Sequence, residues 1–231
     1  MATSERSLTD DGPPRARLTA DERREAIVSA AWTVFARNGY HRASTQEIAT
    51  LAGCSEPMIY KHFTSKQALF AAVLERGSFC IKQRFAEILG HELDPARAAE
   101  TFGKDPLGTW AGVLTELVHE PMYADAARLR LFALALADDP EIRVALEGQI
   151  SRQLSMAELM FARSQEVGTA RTDVDPAIAG WLSASVSLVA ALRVAIEGED
   201  GLHDMPDLIQ TLVALLRPPS IDLHEQEGSS P

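Results

Sequence analysis

Residues 44–70 read STQEIATLAGCSEPMIYKHFTSKQALF, and the punctuation of this stretch decides the fold. Ser44 precedes Thr45 and Gln46, and Glu47 follows three residues after it, the capping-box pattern that starts a helix. Ile48, Ala49 and Leu51 supply its apolar side, and Gly53-Cys54 breaks it. Ser55 opens a second short helix. Pro57 sits in its first turn, where a missing N–H costs nothing, and Met58 to Phe63 completes it. Ser65 then caps a longer helix that continues through Leu69, Phe70, Val73 and Leu74 towards Leu89. Two short helices joined by a Gly-containing turn have the form of a helix-turn-helix. The second helix is short enough to enter a DNA major groove, and the first sets its angle. Helices of this length are not stable alone in water, so the stretch requires packing partners on both sides.

Those partners are present. Upstream, Ile27, Ala30, Ala31, Val34 and Phe35 recur at helical spacing. This predicts a helix over Ala20–Arg37, stopped by Asn38-Gly39 in the manner of a left-handed C-cap. Downstream, helices are expected over Pro106–His119, Pro121–Ala137, Pro140–Gln165, Pro176–Glu197 and Pro206–Leu216, each with Pro at or near its first turn. No strand-like alternation is visible. The fold class expected is therefore all-α: an N-terminal three-helix helix-turn-helix DNA-binding domain and a larger C-terminal antiparallel helical domain. The expected divisions are a disordered arm at 1–19, the helix-turn-helix domain at 20–66, a helical domain at 67–217 with 67–90 as connecting helix, and a disordered tail at 218–231.

Composition narrows the function. With 46% hydrophobic residues among 231, the chain can build a core. Polar residues break every apolar run, so no transmembrane helix is expected, and the polar N-terminus lacks the apolar segment of a secretory signal. Cys54 and Cys80 form neither a disulfide framework nor a metal cluster, and a cytoplasmic location is expected. No histidine pair has metal-ligand spacing, and no nucleophile motif or Gly-rich phosphate loop occurs. No metal, no cofactor and no enzymatic activity are expected. The net charge of −11 is unevenly spread. Residues 1–76 carry 10 basic and 9 acidic side chains, and residues 77–231 carry 12 and 24. A near-neutral head on an acidic body is compatible with local phosphate contacts, while the body repels DNA elsewhere.

The segment Arg23–Glu75 resembles the DNA-binding domain of the TetR family. The matching residues are Phe35-Ala36-Arg37-Asn38-Gly39-Tyr40, Ser44-Thr45-Gln46-Glu47-Ile48-Ala49, Ala52-Gly53-Cys54-Ser55, Ile59-Tyr60-Lys61-His62-Phe63 and Ser65-Lys66-Gln67-Ala68-Leu69-Phe70. The resemblance implies that Thr45 contacts phosphate, that Gln46 meets bases or phosphate, and that Glu56, Pro57 and Met58 face bases. It implies further that Tyr60 and His62 contact phosphate and that Lys66 clamps the DNA backbone; Ser55 and Lys61 complete the DNA-facing set. Glu56 stands where many relatives carry a basic residue. It either accepts a hydrogen bond from cytosine N4 or serves only as a partner of the helix dipole.

The C-terminal half is less specific. Trp110, Met122, Tyr123, Phe132, Met156, Met160 and Trp181 are, as a set, candidates for an effector cavity, the usual place for a small-molecule site in a bundle; taken singly, each reads more readily as core. Ile178, Leu182, Val186, Val189 and Leu192 share a face, followed by Leu208, Leu212 and Leu215. The resemblance implies that the last two helices pair with those of a second copy. The expected function is a ligand-responsive transcriptional regulator that represses from a palindromic operator as a homodimer and is released by a largely apolar small molecule. The alternatives are a helical interaction protein that has lost DNA binding and a helical-bundle enzyme.

Overall fold

A computed structural model describes residues 18–90, 92 and 102–219, with the side chain of residue 199 excepted. The expected arm and nearly all of the expected tail lie outside the described residues. Among those described there are nine α-helices, one 3₁₀ turn and no strand. They are α1 (Ala20–Arg42), α2 (Thr45–Leu51), α3 (Glu56–His62), α4 (Lys66–Leu89), α5 (Pro106–Leu117), α6 (Pro121–Leu134), α7 (Pro140–Glu166), α8 (Pro176–Glu197) and α9 (Met205–Leu216).

Local chemistry sets most helix starts. Asp105, Asp139 and Asp175 each precede a proline, and each carboxylate accepts first-turn backbone N–H groups. The Asp satisfies orphan donors while the Pro removes one. Ser65 caps α4 by accepting from the Ala68 N–H at 2.9 Å. At α2 only half of the expected capping box forms. Ser44 accepts from the Glu47 N–H, but the Glu47 carboxylate turns to Arg37 and Asn38 instead. The complete box is at α1, where Thr19 and Glu22 bond reciprocally.

Helix ends differ more. Gly39 has φ 73° and ψ 166°, so it kinks α1 rather than ending it with a left-handed cap, and one further turn carries Tyr40 to Arg42. α5 ends at Leu117 and α6 at Leu134, short of the expected His119 and Ala137. There the chain tightens into three-residue bonds, such as Leu136 N–H to the Ala133 carbonyl and Glu120 N–H to the Leu117 carbonyl.

Two hydrophobic cores organise the molecule. One gathers Ile27, Val34, Phe35, Ile48, Ile59 and Phe70, and also takes Leu129 and Ala133 from α6 and Ile142 and Leu146 from α7. The other packs Phe85, Trp110, Met160, Phe161, Ala190 and Ile209. α4 crosses both. α8 is the one described helix long and apolar enough on average to cross a membrane, although Ser183, Ser185, Ser187 and Arg193 interrupt its apolar run.

Candidate nucleic-acid interface and effector crevice

The α2–turn–α3 unit is anchored from behind. Ile48 and Ile59 are almost fully buried, and Phe63 nearly so, under the Arg24 guanidinium, which lies 5.0 Å above its ring. The turn places Gly53 at φ 63°, a backbone conformation that suits a residue without Cβ. Arg23 reaches from α1 to the carbonyls of Ala52 and Gly53 at 3.3 Å each. It thereby satisfies acceptors left open at the end of α2. Sequence reasoning missed this role, because nothing local to Arg23 marks it.

With Ile59 and Phe63 turned inward, the other side of α3 meets solvent. Ser55, Pro57, Tyr60 and Lys61 are exposed, and Glu56, Met58 and His62 are partly so. Gln46 is exposed on α2. The residues expected to face DNA therefore lie outside the core on α2, on α3 with its N-cap, and at the start of α4. Three of them are already engaged. The Thr45 hydroxyl donates to the Glu56 carboxylate, which joins the first turns of α2 and α3. Lys66 Nζ donates to the Ala43 carbonyl at 2.7 Å and sits 4.6 Å from the Tyr40 ring centroid; burial lowers its pKa. Lys66 thus closes the α1–α2 junction. Burial pushes the Cys54 thiol up, against the nearby Arg23 charge, and so away from the reactive thiolate.

In the body, two adjoining apolar crevices share Trp110, Ser183 and Leu212. Each has room for about one water molecule. Of the expected lining residues, Trp110 and Met160 border the first crevice, and Trp110 and Tyr123 the second. Met156 packs on the same core without lining either crevice, and Met122 is half-buried in the first turn of α6. The remaining two lie elsewhere. Phe132 packs into the first core, its ring 3.6 Å from where a Cβ on Gly39 would stand. Trp181 is exposed on α8. Sequence reasoning missed Ser183, Ser187 and Leu212, which the crevices require.

α6 presents different faces to the two cores. Tyr123, Ala127 and Arg130 recur at i, i+4 and i+7 and turn to the body. Asp125, Leu129 and Phe132 follow the same spacing on the side of α1. Leu129 and Phe132 join the first core, and Asp125 accepts from the Trp32 indole N–H at 3.4 Å.

Comparison with known proteins agrees with this geometry. The family model for bacterial regulatory proteins of the tetR family matches residues 27–73, which carry the N-terminal part of the first core. The HTH-type transcriptional activator FasR of Mycolicibacterium smegmatis is 52% identical over 60 residues, which are 26% of this chain and 27% of FasR's own length. The HTH-type transcriptional repressor AcnR of Corynebacterium efficiens is 27% identical over 192 residues, 82% of this chain and 92% of AcnR. Among solved structures, the SmeT–triclosan complex superimposes with a TM-score of 0.68 at 21% identity, covering 86% of this chain and 93% of that one. SmeT is the repressor of a Stenotrophomonas maltophilia multidrug efflux pump. A helix-turn-helix unit that matches the family model, relatives that are transcriptional regulators and a shared fold through the helical body agree: residues 27–73 match the tetR family of bacterial regulatory proteins, and the chain as a whole is similar in fold to transcriptional regulators of that kind.

Proposed function

We propose that the chain is a transcriptional repressor that binds a palindromic operator as a homodimer and is released by a small, largely apolar effector. The observation that carries this reading is α3, anchored by Ile59 and Phe63 with its opposite side free to enter a groove. In this reading residues 20–66 meet DNA, residues 67–217 sense the effector and dimerise, and the protein works in the cytoplasm.

Dimerisation is supported by the outer face of the last two helices. Trp181 is 61% exposed, Leu192 47%, Ile196 80% and Leu215 65%. So much apolar surface on adjacent helices is a docking face, and a second copy related by two-fold symmetry covers it while matching a palindrome. Release follows from the two faces of α6. The crevices are far smaller than the ~300–1,000 Å³ that a ligand of ordinary size needs. An occupant must therefore spread the helices around Tyr123, and α6 carries that displacement through Leu129 and Phe132 to α1. Such an occupant favours the spread state over the DNA-bound one only by its differential affinity for the two.

A second reading, a helical interaction protein without DNA binding, draws on the internal engagement of Thr45 and Lys66. Fluorescence anisotropy of labelled random-sequence duplex separates the two readings. Repression predicts binding that weakens steeply with salt through phosphate contacts. No binding even at low salt would favour the interaction protein.

A further inference from the structure

The body is strongly acidic, yet one of its arginines is withdrawn from solvent with no acidic partner among the described residues. Every other described arginine of residues 77–217 pairs with a carboxylate or, as Arg143, is exposed. Arg130 on α6 is withdrawn from solvent and meets no carboxylate within 4.0 Å among the described residues. Its hydrogen bond to Gln153 Oε1 is long, at 3.4 Å. Gln153 Nε2 in turn donates to Ser187 Oγ at 2.7 Å. Ser187 and Tyr123 line the crevice that Trp110 and Leu212 also border, and Tyr123 faces both Ser187 and Arg130. Burial lowers the Arg130 pKa and raises that of Tyr123. The phenol therefore stays neutral, while the guanidinium keeps its charge.

A withdrawn charge without a counter-charge is costly to fold. With 33 acidic residues in the chain, composition does not explain the missing partner. We propose that the crevice bordered by α5, α6, α8 and α9, once spread by its occupant, takes a carboxylic acid with an apolar body, its apolar part against Trp110 and Leu212 and its carboxylate reaching past Tyr123 and Ser187 to Arg130, which stands behind the lining of the closed crevice. This rests on the reading of the body as an effector-sensing domain. The guanidinium fork matches a carboxylate in bidentate fashion. A single guanidinium balances a single negative charge, and the acidic body disfavours the nearly double charge of a phosphate monoester.

The test uses the full chain and probes matched in their apolar part: octanoate, octanol, octylamine and octyl phosphate, then 3-phenylpropionate with its alcohol and amine. Thermal shift and tryptophan fluorescence are read together. At least one carboxylate is expected to bind about tenfold or more tightly than its alcohol, and to outbind its amine and phosphate counterparts. Arg130→Gln abolishes that advantage, and Arg143→Gln keeps it. Because it removes an unpaired charge, Arg130→Gln without ligand melts no lower than the native chain. The proposal is overturned if neither acid outbinds its alcohol, if the ratio survives Arg130→Gln, or if Arg130→Gln and Arg130→Lys both unfold the body. Duplex binding is measured on the same samples. DNA binding without carboxylate binding overturns this proposal alone, and carboxylate binding without DNA binding overturns the regulator reading alone.

Discussion

Two residues of the proposed DNA-facing surface act first within the protein. Lys66 holds the Ala43 carbonyl and lies over Tyr40, so Lys66→Ala is expected to cost about 1.5–3 kcal/mol of stability, the range for a charged hydrogen bond. Urea unfolding measures this. If Lys66 also reaches phosphate, the same variant lowers the slope of log K against log salt by about one unit; lost stability with an unchanged slope would make Lys66 a purely internal clamp. Glu56 holds Thr45 and places a negative charge where phosphates approach. Glu56→Gln is therefore expected to tighten binding to duplex of any sequence by roughly two- to tenfold at low salt, with less effect at high salt. Weaker binding confined to sites with one particular base pair would instead identify Glu56 as a base reader. The sequence made the placement of these residues legible, because the helix-turn-helix is a local pattern whose buried positions, Ile48, Ile59 and Phe63, leave the others outside. Their present partners were not legible. The Ala43 carbonyl lies 23 residues from Lys66, and no periodicity records that pairing.

Among the helices, starts were read more accurately than ends. Asp-Pro fixes the entry to α5, α7 and α8 through side chain and ring together. At the ends of α5 and α6 a gradual tightening of the backbone leaves no such mark. The crevice was legible only in part for a related reason. Tyr123, Phe132 and Trp181 are all large aromatic residues on helices, but which face of α6 or α8 meets which neighbour is set by tertiary packing. Close approach between α1 and α4 is set by Gly77, where an added Cβ would stand 2.7 Å from the Trp32 ring. Gly77→Ala is expected to destabilise the protein by about 1–3 kcal/mol through overpacking. Because Trp32 also donates to Asp125 of α6, the change should weaken the link between the body and α1. A melting temperature equal to that of the native chain would show that the contact relaxes freely.

For the molecule as a whole, the claim is a two-fold assembly that reads DNA at one end and senses a ligand in the middle. Leu192 on the outer face of α8 is exposed in the protomer. Leu192→Glu is therefore expected to leave the protomer folded while converting a dimer to a monomer in analytical ultracentrifugation. Val144→Glu, at an exposed apolar site on α7, should leave the mass unchanged. A native chain that sediments as a monomer at micromolar concentration would remove the basis for a palindromic operator. The most direct test of the central claim is selection of fragmented genomic DNA by the purified chain at about 150 mM salt, a concentration that suppresses weak phosphate-only binding, followed by sequencing of what is retained. The expected result is an enriched inverted repeat with half-sites about one helical turn apart, ~34–36 Å. Retention of no motif above background, by protein refolded to strip any bound ligand, would contradict it.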